Sequence, residues 1–215
     1  MSENGKLAQV MRDSYYLNDI KVTTVLYATY SYQVPSSGSS TWADYLAAYD
    51  INSNGTLTQH IEIDFMDVPL IIAVFGQFIY NTRSGRIYQH KGGTSLTQNN
   101  YIGSADRYFS AFIANRGYLY ATEIVTKQIV EFAINASTGS LTEFSGTGYP
   151  YATGTTSSIQ KLSIDSDGKY LYAVDEDNRA LLGYSIAPDG GLTKLNWDVT
   201  VSGIPHSAVI AKVRQ

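Results

Sequence analysis

The sequence predicts an all-β protein: a β-propeller of four-stranded antiparallel blades, with about four blades and a partial fifth. The main observation is a repeated pattern of an aromatic residue, an isoleucine two positions later, a turn with glycine, and then Leu-Thr. Full copies stand at 47–59 ("AAYDINSNGTLTQ"), 130–144 ("VEFAINASTGSLTEF") and 182–195 ("LGYSIAPDGGLTKL"). Short strand segments repeated at such distances are typical of propeller blades rather than of helical arrays.

Two markers give the period of the repeat. The leucine that ends the pattern recurs at intervals of 50, 39, 45 and 51 residues, at Leu7, Leu57, Leu96, Leu141 and Leu192. A tyrosine within segments such as "LYAT" recurs at intervals of 53, 40 and 52 residues, at Tyr27, Tyr80, Tyr120 and Tyr172. Apolar residues also alternate with polar ones in "YLYATEI" and "QIVEFAIN", which indicates strands.

The period divides one propeller domain, 1–215, into four units of approximately 11–62, 66–100, 105–147 and 157–199. In the last unit, strands are predicted at 159–164, 170–175, 180–186 and 192–199. The second unit is compressed around the short strand "GRIYQH".

Two segments depart from the repeat. The first unit carries a Ser/Gly-rich insertion at 33–44, which predicts a mobile loop. The leftover residues, 1–10 and 204–215, are predicted to share one partial blade, with Leu7 in its last strand and 206–213 in its first.

Composition excludes several function classes. Charged residues make up only 16% of the chain, its net charge is −4, and Lys and Arg form no cluster, so nucleic-acid binding is not expected. No apolar run reaches the roughly 18 residues of a membrane span, and the polar start "MSENGKLAQV" is not a signal peptide. The absence of cysteine excludes disulfides and thiolate catalysis. The compartment stays open: cytoplasmic if the chain is complete, or secreted with its signal removed.

No metal or cofactor is predicted. The histidines, His60, His90 and His206, lie in different units and show no zinc-ligand spacing. The run from Asp165 to Gly168 lacks the remainder of a calcium loop and is predicted to be a hairpin turn. There is no phosphate loop or dinucleotide fingerprint.

The segment "SIDSDGKYLYAVDEDNRALLGYSIAPDGGLTKL", 163–195, resembles a blade of the seven-bladed lactonase-type propellers. That family includes bacterial 6-phosphogluconolactonases and fungal carboxymuconate cyclases. The resemblance is specific over about 118–195. Seven such blades need roughly 300 residues, so the chain resembles a shortened or partial member. The resemblance implies a cofactor-free hydrolase or isomerase that acts on a sugar lactone or a related small molecule.

The resemblance also implies catalytic residues. Glu176, after "YAVD", takes the place of the family's glutamate, and Glu123, after "YAT", is expected at the same place one blade earlier. His206 in "GIPH" matches the family's Gly-x-x-His, although Pro205 replaces the usual basic residue. In a lactonase, Glu176 would activate water, and His206 would donate a proton to the developing oxyanion or the leaving alkoxide.

Three further residues are candidates for substrate binding. Arg116 and Arg179 are possible anion clamps, and Trp42 in the insertion suits a sugar or protein contact. Structural roles are the alternative for two of them: a surface pair of Arg179 with Asp177, and a Trp42 that folds back over a strand.

Two functions remain open at this point. The first is the lactonase-like hydrolase. The alternative is a non-catalytic propeller that serves as a protein- or glycan-binding or assembly module, with a partner chain or a second copy at its open terminal strands. The short chain and Pro205 favour the alternative, whereas Glu176 and His206 favour the hydrolase.

Overall fold

The computed structural model describes residues 6–13, 25–34, 41–65, 72–83, 86–91, 97–102, 107–156 and 159–210. The chain divides into two compact units, Met1–Ala105 and Asp106–Gln215. Every described element is a β-strand and every described pairing is antiparallel, so the predicted all-β fold is confirmed. The described residues include no helix with the length and hydropathy that a membrane span requires.

The first unit holds two four-stranded sheets in which each strand pairs with the next along the chain. Sheet 1 consists of β1 (Lys6–Asp13), β2 (Val25–Val34), β3 (Thr41–Ile51) and β4 (Leu57–Phe65). Sheet 2 consists of β5 (Ile72–Phe75), β6 (Phe78–Arg83), β7 (Arg86–Lys91) and β8 (Thr97–Ile102). Tyr27 of sheet 1 and Ile79 of sheet 2 share one buried apolar cluster, so the two sheets pack face to face.

The second unit repeats this arrangement. Sheet 3 consists of β9 (Phe109–Asn115), β10 (Tyr118–Glu123), β11 (Gln128–Ile134) and β12 (Leu141–Glu143), and the short β13 (Tyr151–Ala152) also pairs with β11. Sheet 4 consists of β14 (Lys161–Ile164), β15 (Tyr170–Asp175), β16 (Ala180–Ile186) and β17 (Leu192–Thr200). The up-and-down order is that of propeller blades, and the strands predicted for the last repeat are confirmed to within two residues.

Turn chemistry explains where β15 of sheet 4 begins. The Asp165 carboxylate accepts hydrogen bonds from the backbone N–H groups of Lys169 and Tyr170, both at 2.7 Å. Gly168 adopts a φ of 64°, a left-handed conformation that strains residues with a Cβ atom. The hairpin turn predicted for this run is therefore confirmed.

The core of the second unit lies between sheets 3 and 4. Tyr120 and Ile129 of sheet 3 and Leu171 and Leu182 of sheet 4 are inaccessible or almost inaccessible to solvent. The Tyr120 hydroxyl donates to the carbonyl oxygen of Gly190 over 2.7 Å, so the buried phenol keeps a hydrogen-bond partner. The alternation seen in the sequence thus places apolar side chains of the two sheets against each other.

The predicted partial blade is corrected on both sides. Leu7 pairs with Tyr30 in sheet 1, where β2 satisfies the backbone groups of β1, so Leu7 is not in the last strand of a separate blade. The segment 206–210 forms no strand, because no described strand pairs with it. Residues 1–5 and 211–215 lie outside the described residues, and the assignment of the whole chain to a single domain stays a prediction.

The predicted insertion loop is shorter than expected. The β2–β3 ladder continues to the pairs of Gln33 with Trp42 and Val34 with Thr41, so all described residues of the range 33–44 are strand. Each added pair supplies backbone hydrogen bonds that a loop would lack. The remaining residues, 35–40, lie outside the described residues, and the predicted mobility of the loop is untested there.

Candidate functional site

Glu176 and His206 lie together at one end of sheet 4. Glu176 follows β15, in the turn 176–179, and His206 belongs to the segment that follows β17. The Glu176 Oε1 and His206 Nδ1 atoms are 3.4 Å apart, which makes a long hydrogen bond. The His206 side chain is 78% exposed and that of Glu176 is 29% exposed, so the pair is open to solvent.

Two contacts hold the segment that carries His206. The Val201 N–H donates to the carbonyl of Arg179 over 2.8 Å, which brings the chain after β17 back across the turn. Further along, the Ser163 hydroxyl in β14 donates to the carbonyl of Ala208. His206 lies between these two anchor points, beside Glu176.

The turn below the pair is ordered by a buried carboxylate. Asp175 is 1% exposed and accepts hydrogen bonds from the backbone N–H and the side-chain amide of Asn178, at 3.0 and 2.8 Å. Burial alone would raise the pKa of Asp175, but hydrogen bonds from Thr155 and Asn178 lower it below its usual value. Asp175 therefore stays ionised as a structural group that fixes the position of the next residue, Glu176.

Glu123 is not the counterpart of Glu176. Glu123 closes β10 opposite Gln128, as Asp175 closes β15 opposite Ala180, so Glu123 corresponds to Asp175. The expected equivalence is wrong by one position, because both acids are the last paired residue of their strand. Glu123 accepts a hydrogen bond from Thr126 over 2.8 Å within its own turn.

Arg107 neutralises Glu123. Its Nε atom donates to Glu123 over 2.9 Å and its Nη1 atom to Glu143 over 2.7 Å, and its guanidinium lies over the ring of Phe109. Burial lowers the pKa of Arg107, but the hydrogen bonds and negative charges of Glu143 and Glu123 together raise it by more, so the net shift is upward. Sequence reasoning missed Arg107, since its partners are 16 and 36 positions away and no local pattern links them.

Arg116 lies at the opposite end of the sheets. It precedes β10, whereas Glu123 ends that strand, and a six-residue strand spans about 20 Å. Its guanidinium donates to the carbonyl of Asp167, in the turn before β15. Arg116 therefore does not lie beside Glu176, and its role as an anion clamp stays a prediction.

Of the other two predicted substrate-binding residues, Arg179 lies near Glu176 and Trp42 lies in the other unit. Arg179 is exposed in the turn of Glu176, with a left-handed φ of 55°, and makes no ion pair with Asp177 or any other described carboxylate. Of the two predicted cations, Arg179 is the one that lies at the same end of sheet 4 as Glu176. Trp42 lies in β3 of the other unit, and its role in ligand binding stays a prediction.

A pocket of about 240 Å³ adjoins the same turn. It is lined by polar groups that include Thr155, Asp175, Asn178 and Asp198, above the apolar side chain of Leu182. Sequence reasoning missed this pocket, because the loop 153–156 that forms one wall lies outside the repeat pattern. Among the described residues no three His, Cys, Asp or Glu side chains gather as metal ligands.

No protein-family model matches the sequence, and no curated protein matches it. Solved structures do. One is a protein from Bacteroides fragilis provisionally named 6-phosphogluconolactonase, 17% identical, with a TM-score of 0.62 over 91% of this chain and 68% of that chain. A protein from Lactobacillus plantarum is 14% identical, with a TM-score of 0.60 over 84% and 69%.

A third solved structure, also provisionally named 6-phosphogluconolactonase, is from Bacteroides uniformis. It is 20% identical, with a TM-score of 0.57 over 89% of this chain and 71% of that chain. With the antiparallel four-stranded sheets described above, these likenesses confirm the blade motifs recognised at 163–195. The chain has the fold of the lactonase-type β-propellers.

Proposed function

We propose that this protein is a cofactor-free hydrolase that opens sugar lactones at the end of sheet 4 where Glu176 and His206 meet. The observation that carries the proposal is the 3.4 Å approach of His206 Nδ1 to Glu176 Oε1 across 30 positions of sequence. A carboxylate beside one imidazole nitrogen leaves the other nitrogen available for proton transfer.

The geometry favours His206 as the group that moves the proton. With Nδ1 facing the carboxylate of Glu176, the Nε2 atom can take a proton from water as the water oxygen attacks the lactone carbonyl carbon. The ring C–O bond then breaks, and Nε2 returns the proton to the departing alkoxide, which yields the open hydroxy acid. Glu176 acts here as the positioning residue rather than as the base that the sequence alone suggests.

The charge around the pair favours an unphosphorylated substrate. Pro205 occupies the position of the basic residue expected before His206, and Arg179 is the only cation in the turn 176–179. A phosphate normally requires several charge-assisted hydrogen bonds, whereas one guanidinium suffices to orient a hydroxylated ring. We therefore expect sugar lactones to be opened faster than their phosphorylated forms.

Acid release from glucono-δ-lactone in a pH-stat tests this function. We expect turnover above the buffer rate, a loss of about 100-fold or more in kcat/KM for His206→Asn, and a smaller loss for Glu176→Gln. Asp177→Asn is the matched control, because it removes an exposed carboxylate from the same turn without touching His206.

Two results would contradict the proposal. The first is hydrolysis at the buffer rate with every sugar lactone tried, which would leave the non-catalytic binding module as the function. The second is full activity in both His206→Asn and Glu176→Gln, which would place any lactonase activity elsewhere in the chain.

A further inference from the structure

The pocket of about 240 Å³ lies on the face of sheet 4 that packs against sheet 3. Asp175 pairs with Ala180 and Leu182 pairs with Asp198, so these four side chains share one face of the sheet. Ala180 and Leu182 also belong to the buried cluster between the two sheets. The loop 153–156, which follows β13 of sheet 3, forms the opposite wall of the pocket.

The segment that carries His206 lies against the other face of sheet 4. Its backbone accepts a hydrogen bond from Ser163, which pairs with Tyr172. Tyr172 and Asp175 are three positions apart on β15, so their side chains point to opposite faces. The pocket and the pair of Glu176 with His206 therefore approach one turn from opposite faces of the sheet, as two separate sites.

Hydrogen bonds from two side chains hold the pocket in shape. The Lys194 Nζ atom donates to the carbonyl oxygen of Thr153 over 2.8 Å and to Asp198 Oδ2 over 3.3 Å, which ties the loop to β17. The side-chain amide of Asn178 donates to the Thr155 hydroxyl, which ties the same loop to the turn after β15. The pocket is therefore formed before a ligand enters, and this lowers the entropic cost of binding.

The lining combines an apolar floor with polar groups that can bind a ligand. Ala180 and Leu182 form the floor. Within the part of the chain that the structure describes, Asp198 Oδ1 and the Thr156 hydroxyl have no hydrogen-bond partner. A carboxylate oxygen accepts hydrogen bonds, and a hydroxyl both donates and accepts. A single ring with hydroxyl groups on its edge and C–H groups on its face matches this set, and the pocket is smaller than the roughly 300–1,000 Å³ of sites for larger ligands.

The charge of the lining determines which sugars fit. Asp175 is ionised and only 1% exposed, and Asp198 adds a second carboxylate. Lys194 forms an ion pair with Asp198 but not with Asp175. An anionic ligand is therefore repelled, and the repulsion is stronger where a buried charge is not screened by water. Neutral sugars avoid this repulsion, whereas sugar acids and sugar phosphates do not.

We propose that this pocket is a second, non-catalytic binding site for one neutral hexose unit. Hydroxyl groups of the hexose bind Asp198 and Thr156, and its apolar face contacts Leu182. The site excludes the open hydroxy acid that hydrolysis beside His206 would release. It does not depend on that hydrolysis, because the two sites lie on opposite faces of sheet 4, so each can be tested without the other.

Saturation-transfer difference NMR with neutral methyl glycosides tests this site, since these sugars contain no lactone. The methyl glycosides of glucose, mannose and galactose are titrated against the protein. We expect at least one to bind with a dissociation constant on the order of 1 mM, as suits a ligand of about a dozen non-hydrogen atoms. Gluconate and glucuronate should bind at least about tenfold more weakly, because they are anions.

Two threonine variants locate the binding site. Thr156→Phe fills the mouth of the pocket and should abolish glycoside binding, whereas the fold should persist because Thr156 is exposed and makes no hydrogen bond with a described residue. Thr193→Phe is the matched control, because it changes an exposed threonine near the other end of β17 and should leave binding unchanged. Melting temperatures of both variants verify that they are folded. His206→Asn should also keep glycoside binding.

A charge variant tests the preference for neutral sugars. Asp198→Asn keeps the size of the side chain but removes one negative charge from the lining. We expect the ratio of the affinity for glucuronate to that for the neutral glycoside to rise by about fivefold. A purely structural role of Asp198 would not change this ratio. Asp177→Asn is the control, because Asp177 is an exposed acid of the neighbouring turn that does not line the pocket.

Three results overturn the proposal. The first is no saturation transfer from any of the three glycosides at up to roughly 50 mM. The second is glycoside binding that Thr156→Phe leaves unchanged, which places the sugar elsewhere, beside His206 if His206→Asn abolishes it. The third is tighter binding of ethylammonium than of every glycoside, which makes the pocket a cation site. Lactone hydrolysis by a protein that binds no glycoside would reject this site and keep the hydrolase, and the reverse result would reject only the hydrolase.

Discussion

The carboxyl group of Glu131, buried in β11, accepts a hydrogen bond from the Tyr151 hydroxyl over 2.7 Å. Its second oxygen, Oε1, is buried against the turn of Gly190 without a hydrogen-bond partner among the described residues. Burial raises the pKa of Glu131, the Tyr151 hydrogen bond lowers it, and the charge of Asp189 raises it, with a net shift upward. Sheets 3 and 4 therefore meet around a carboxyl group that keeps its proton to a higher pH than an ordinary glutamate does.

This group gives stability a defined dependence on pH. The unfolded carboxyl titrates near its ordinary pKa of 4.5, and the native one at a higher pH. Between the two, the native state holds a proton that the unfolded state has lost, so the free energy of unfolding falls as pH rises through this interval. Glu131→Gln has no carboxyl group at this position and therefore lacks this fall in the free energy of unfolding. In urea unfolding, the stability of the variant relative to that of the original chain should increase as pH rises through the interval. Asp177→Asn controls for net charge, and a difference between Glu131→Gln and the original that is constant with pH would refute the prediction.

A second prediction concerns the core between sheets 3 and 4. Leu171 is fully buried, so Leu171→Ala removes apolar contacts and leaves a cavity, at a cost of about 2–5 kcal/mol in the free energy of unfolding. Leu57 starts the last strand of sheet 1 at a repeat position but is 49% exposed, and Leu57→Ala should cost only about 0.5 kcal/mol. Equal losses in denaturant unfolding would show that Leu171 is not part of a packed core.

The third prediction compares two turn glycines. Gly190 has a φ of 93°, and a Cβ atom there would lie 2.2 Å from Glu131 Oε1 and 2.6 Å from the Tyr118 ring. Gly55 has a φ of 82°, and a Cβ atom at that position would meet nothing within 4 Å. Gly55→Ala should therefore cost only the backbone strain of about 1–2 kcal/mol, and Gly190→Ala clearly more, because it also separates the sheets. Thermal unfolding of the two variants measures the difference, and a Gly190→Ala variant as stable as Gly55→Ala would contradict the close packing of this turn.

The strands of sheet 4 could be predicted from the sequence, because local chemistry determines where they lie. The alternation in 170–175 and the turn of Asp165 and Gly168 both act over a few residues, and they define where β15 begins. β13 was not predictable, since the pair of Ile129 with Tyr151 depends on how the chain returns after β12. The pairing of β1 with β2 likewise depends on contacts across a connection that carries no repeat pattern.

The residues of the candidate site also divide into those that the sequence identified and those that it did not. Glu176 and His206 were identified from the resemblance to blade motifs, and no periodicity in the sequence could have brought them together across 30 positions. The expected match of Glu123 with Glu176 was wrong by one position, although the tyrosine marker, Tyr120 and Tyr172, already aligns Glu123 with Asp175 in the sequence. The strand register shows the same match. The contacts of Arg107 are purely tertiary, so they become visible only when the end of sheet 3 is seen in three dimensions.

The hydrogen bond from Tyr120 to Gly190 has a consequence for how the second unit opens. It joins the middle of sheet 3 to a turn of sheet 4, inside a core to which both sheets contribute side chains. Opening either sheet exposes the apolar surface of the other and breaks this bond. Amide protons in β10 and β15 should therefore exchange with solvent through one shared opening event, at similar rates, with the two sheets behaving as a single cooperative unit.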